Sequence, residues 1–110
     1  MNTSTTIPIM VTEEAAAHVA ALGMRAELEE MLDHARQAVT DLRRIEVELR
    51  NRYDLGDEPS VVITAFKDLA SYREEDRPYR AWRDWYISRF PPEVCVHFCL
   101  LISYEAADAR

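Results

Sequence analysis

The chain has 110 residues, 48% hydrophobic and 30% charged, which is the composition of one globular domain long enough to build a core without disulfides or metal. Two glycines and two cysteines are too few for a dinucleotide-binding or P-loop glycine motif and too few for a disulfide framework. The net charge of −7 repels phosphate backbones, and no apolar run approaches the ~20 residues of a membrane span, so charge-driven nucleic-acid binding and membrane insertion are not expected.

The first segment with strand character is Thr6 to Val11, interrupted by Pro8. Thr12 followed by Glu13 and Glu14 reads as an N-cap with acids at the positive end of a helix dipole. Gly23 stands where a left-handed residue would close that helix, giving a first helix over about 13–22. From Met24 a new helical phase sets Leu28, Met31, Leu32, Ala35 and Val39 on one stripe against Arg25, Glu29, Asp33 and Arg36, so a second helix runs to about Val39.

At Arg44 the period changes to two. Ile45, Val47 and Leu49 alternate with Arg44, Glu46, Glu48 and Arg50, as in a half-buried strand with a charged outer face, suited to a sheet edge. DLGDEP (54–59) has turn composition and VVITAF (61–66) is apolar on both faces, so 43–67 reads as an antiparallel hairpin whose second strand lies inside the sheet. REEDRP (73–78) is a solvated loop that ends with Pro78 in a first helical turn. The helix after it puts Tyr79, Trp82, Tyr86 and Phe90 on one face and stops at Pro91-Pro92. EVCVHFCLLISYE (93–105) is a last strand, unless Pro91-Pro92-Glu93 opens one helical turn and the strand begins near Phe98.

These elements predict a single two-layer α+β domain over 1–110 in the order αα-β-β-α-β. If residues 6–11 pair, the order becomes β-α-β-β-α-β and the ferredoxin-like split βαβ arrangement is the expected fold. Pro8 sits poorly in the central strand that this arrangement assigns to the first segment, and Gly23 divides its first helix. A right-handed crossover through the third helix would make the last two strands parallel.

Cys95, His97 and Cys99 at i, i+2 and i+4 are the residue types of a soft metal site, and on a strand they share one face. On a strand, however, the outer two lie ~13 Å apart, beyond any shared ion, so no metal is expected and the cysteines read as small core residues. The same three are the candidates for cysteine catalysis with His97 as base, although neither thiol has a recognisable local signature. Glu30 and His34, i to i+4 beside Asp33, read as a surface pair because no second copy exists for a two-metal bundle. His18 receives no role. Asp54, Asp57 and Glu58 do not match the spacing of a calcium loop.

Arg73, Arg77, Arg80, Arg83 and Arg89 interleave with Tyr79, Trp82, Trp85 and Tyr86. That mixture can stack on single-stranded nucleic acid, but Glu74, Glu75, Asp76 and Asp84 cancel much of its charge. Trp85 lies off the aromatic stripe, and with Arg80, Arg83 and Arg89 it is the expected protein-contact surface. The strand 61–66 presents Val61, Ile63 and Ala65 to one side and Val62 and Phe66 to the other. One helical layer cannot cover both, so a homodimeric, self-associating interaction module is the leading expectation. A ligand-binding protein or enzyme with a pocket near His97 and a nucleic-acid binder using helix 77–90 are the alternatives. No cofactor is expected. The first ten residues show no basic n-region or apolar stretch, so the expected location is the cytoplasm, with Cys95 and Cys99 reduced.

Overall fold

A computed structural model of the chain describes residues 7–39, 42–51, 59–71 and 77–105. Strand β1 (Ile9–Val11) leads through Thr12 into α1 (Glu13–Leu22). Thr12 Oγ1 accepts the Ala15 N–H at 3.2 Å, filling one of the open donors of the first turn. At the other end Gly23 has φ +71°, a conformation that costs glycine nothing. Its N–H reaches the Ala20 carbonyl and the Met24 N–H reaches that of Val19, a Schellman closure that turns the chain into α2 (Arg25–Ala38). Next come β2 (Leu42–Asn51), β3 (Pro59–Asp68), a short 3₁₀ turn at Leu69–Ser71 and α3 (Arg77–Arg89). Pro91-Pro92 ends α3 and opens the one-turn helix α4 (Pro92–Cys95), and β4 (Phe98–Glu105) follows. The last segment therefore takes the helical-turn form of the two expected for it. The turn at 54–58 and the loop at 72–76 lie outside the described residues, as do the side chains of Arg77, Pro78 and Tyr79.

The four strands lie in the order β1-β2-β3-β4. β1 is parallel to β2 with Ile9 opposite Ile45, β2 is antiparallel to β3 with Val47 opposite Ile63, and β3 is parallel to β4 with Ile63 opposite Leu100. Residues 9–11 do pair, and the last two strands are parallel as expected. The spatial order corrects the ferredoxin-like expectation, in which another strand separates the parallel partners: here each βαβ unit joins immediate neighbours. Pro8 now has a place, because β1 is an edge strand and the Pro8 carbonyl accepts the Ile45 N–H at 3.0 Å without a donor being needed in return.

Ile45 and Val47 from β2, Val61, Ile63 and Ala65 from β3, and Phe98 and Leu100 from β4 form the buried face of the sheet. Against it pack Ala15 and Val19 from α1, Leu28, Met31, Leu32 and Ala35 from α2, Trp82, Tyr86 and Phe90 around α3, and Val94 from α4. All four helices thus share one side. β1 and β2 run opposite to β3 and β4, yet both crossovers step the same way across the sheet. Two right-handed crossovers would then put their helices on opposite sides. Since α2 and α3 touch, the two connections have opposite hands and one of them is the rare left-handed form. No helix among the described residues is long and apolar enough to cross a membrane.

Candidate functional site

The residues singled out in the sequence separate into three places. Cys95 closes α4, His97 sits in the turn after it, and only Cys99 lies on β4, so the three do not share a strand face. Cys95 turns its thiol toward the Phe90 and Tyr86 carbonyls, at 3.6 and 3.8 Å, the weak donor role of a packed thiol. The Tyr86 hydroxyl points at the carbonyls of Cys95 (2.6 Å) and Phe98 (3.1 Å), tying α3 to α4 and to the first residue of β4. Burial foremost, and then the neighbouring Cys95, pushes this hydroxyl above the usual phenol range. The His97 backbone accepts the Val61 N–H at 2.8 Å, which starts the β3–β4 pairing. Among the described residues no three His, Cys, Asp or Glu side chains converge to hold a metal ion.

The arginine and aromatic helix is divided by its contact with α2. Trp82 is wholly buried, and its indole N–H has no hydrogen-bond partner. Trp85 is half-buried. Its ring stacks on His34 with centroids 3.9 Å apart and planes 4° from parallel, and it meets Phe90 edge-on at 5.6 Å. One turn along both helices, Arg89 reaches Glu30 through two bonds of 2.5 and 3.0 Å. Trp85 and Arg89 therefore join α3 to α2, while Arg80 and Arg83 remain exposed. The burial of His34 under this stack lowers its pKa from the ordinary value of 6.5.

The third place is the sheet face away from the helices. Arg44, Glu46, Glu48, Arg50, Val62, Thr64, Phe66, Cys99, Leu101 and Glu105 project there by alternation. Arg44 lies over the Phe66 ring at 3.7 Å, pairs with Glu46, and spans β3 to bond Glu105 at 3.1 Å, where Arg43 adds a second bond of 3.1 Å. Arg44, and after it Arg43, holds the Glu105 carboxyl below the usual carboxylate range. Arg50 pairs with Glu48 at 2.5 Å. Val62, although turned to this side, is only 2% exposed. The apolar surface expected from Val62 and Phe66 is thus smaller than strand composition implies, with Val62 buried and Arg44 lying over the Phe66 ring.

The exposed apolar residues of the sheet lie instead at β1, where Met10 is 65% and Val11 37% exposed. Two grooves flank this strand. One, of about 190 Å³, is lined by Val11, Ala16, Val19, Arg25, Leu28 and Glu29. The other, of about 130 Å³, is lined by Pro8, Ile9, Met10, Arg44, Ile45 and Glu46. Neither contains His97. No sequence motif marks Met10, Val11, Arg25 or Glu29 as functional residues. The one available hint was Met10 interrupting the β-branched run at Ile9 and Val11. Comparison with protein-family models, with curated proteins and with solved structures found no match.

Proposed function

We propose that the chain is a small self-associating protein-interaction module that works as a homodimer. The observation that supports this reading is the outer edge of β1, which no strand pairs among the described residues and where two exposed apolar side chains sit between two grooves. Adjacent exposed hydrophobes at a sheet edge are sites of strand pairing. With a net charge of −7, contact over most of the surface would set acid against acid, whereas β1 is uncharged along its length. The reading takes the cytoplasm as the working compartment, with Cys95 and Cys99 as free thiols. Light scattering at micromolar concentration should give about twice the 12.7 kDa chain mass. A monomer over the whole accessible concentration range refutes the proposal.

A further inference from the structure

We infer that the second copy adds its β1 to this β1, antiparallel about a dyad through Met10, so that two four-stranded sheets join into one of eight strands. The inference rests on the self-association proposed above and specifies its contact.

The backbone sets the register. The Pro8 carbonyl accepts from Ile45 and the Thr12 N–H donates to the Val47 carbonyl, both at 3.0 Å. Peptide groups alternate sides along a strand, so positions 8, 10 and 12 face β2 while Ile9 and Val11 turn theirs outward. Among the described residues nothing pairs with those outward groups. A dyad through Met10 places Ile9 opposite the partner's Val11 and Val11 opposite the partner's Ile9. Each is a hydrogen-bonded antiparallel pair, and together they satisfy four donors and four acceptors. Within the strand Ile9–Val11, no other antiparallel register pairs both outward residues of each copy.

Side chains follow the same symmetry. Met10 meets the partner's Met10 on the face away from the helices. Ile9 and Val11 of both copies fall on the helix side, where the groove along Val11, Val19 and Leu28 lies open. Main-chain bonds with alternate side chains in grooves are the pattern of strand addition. The rim of that groove carries Arg25 and Glu29, one turn apart on α2, and neither enters an ion pair among the described residues. A dyad reverses their order in the partner, turning base toward acid across the contact. At the opposite edge of the sheet, the Tyr86 hydroxyl occupies the carbonyl of Phe98, the first residue of β4.

Disulfide trapping tests this geometry. Directly opposed residues of a non-hydrogen-bonded antiparallel pair have Cα atoms ~4.5 Å apart, inside the range a disulfide spans. Met10→Cys, in a chain with Cys95→Ser and Cys99→Ser, should cross-link as a dimer under mild oxidation. The control, Leu69→Cys in the same background, is 52% exposed at the far end of β3 and should not. In the otherwise native chain, Met10→Lys sets two ammonium groups together at the dyad and should raise the dimer dissociation constant at least tenfold, with the circular dichroism spectrum unchanged. If the native chain is dimeric and Met10→Lys leaves its dissociation constant within twofold, the β1 contact is overturned while self-association stands. A native chain that is monomeric throughout overturns both.

Discussion

Tyr86→Phe is the most direct test of how the end of α3 is secured. The substitution keeps the buried ring, which is only 6% exposed, and removes the hydroxyl that meets the Cys95 carbonyl at 2.6 Å and the Phe98 carbonyl at 3.1 Å. A net buried hydrogen bond contributes about 0.5–1.5 kcal/mol, and an acceptor left without a donor costs about 1–3 kcal/mol, so the loss should be about 1–3 kcal/mol. For a domain near this size that is a fall in Tm of about 4–15 °C. Thermal and urea unfolding by circular dichroism measure it, with the urea slope unchanged because the buried surface is unchanged. The same hydroxyl predicts a pH effect. Its folded pKa lies above the unfolded value of about 10, so the folded state holds the proton more tightly. That stabilisation is whole below pH 10 and is lost as the pH rises past it toward the folded value. The native chain should therefore lose stability more steeply above pH 10 than Tyr86→Phe does. A Tm within 1 °C of the native value, or equal alkaline slopes, would show that the hydroxyl does not hold α3 to α4 and β4.

Trp82→Ala should destabilise the fold by about 3–5 kcal/mol through lost burial and a cavity. Trp85→Ala should cost less, because its half-buried ring loses mainly the His34 stack, worth about 0.5–1.5 kcal/mol beyond its area. With the β1 contact as the interface, Trp85→Ala leaves the dimer dissociation constant unchanged, and a tenfold rise would return the contact to α3. His34 has a folded pKa below its unfolded value of 6.5, so its contribution is present above that pH and is lost as the pH falls through the folded value. Tm should therefore drop on acidification from neutral pH, and by less in His34→Gln. Treatment with EDTA should leave Tm unchanged, since a structural metal would contribute about 10 kcal/mol or more; a large drop with stoichiometric zinc in the purified protein would put Cys95 and Cys99 at the centre of the account.

What was legible in the sequence was whatever depends on neighbours along the chain. Thr12 and Gly23 act within one turn of themselves, and the structure places their helix at Glu13–Leu22. The stripe of Trp82, Tyr86 and Phe90 is buried because one helix face and one sheet face suffice to bury it. Trp85 differs: three residues from Trp82 it looks exposed on an isolated helix, and only the approach of α2 brings the His34 ring over it. Cys95, His97 and Cys99 depended on one choice, strand or helical turn. Pro92 decides it, because its fixed φ and missing N–H suit the first helical position and interrupt a ladder.

Strand order is illegible for a different reason. The succession β-αα-β-β-α-β is common to the interleaved sheet and to the one observed, and it says nothing about which edge a crossover returns to. Pro8 held more information than the pattern did: a residue unsuited to a central strand is at home on an edge. Edge position is also what gives β1 a surface of its own. In the sheet interior Ile9 and Val11 would have turned their outward peptide groups to another strand and Met10 would have been covered. At the rim they stay open, among the described residues, beside two grooves. The charged alternation of β2 suggested an edge strand, but β2 lies between β1 and β3, and its arginines and glutamates screen the face of the sheet rather than its edge. Protection against unwanted pairing therefore falls on the strand that does not need it, and the three uncharged residues of β1 are left as the place where the proposed second copy would add.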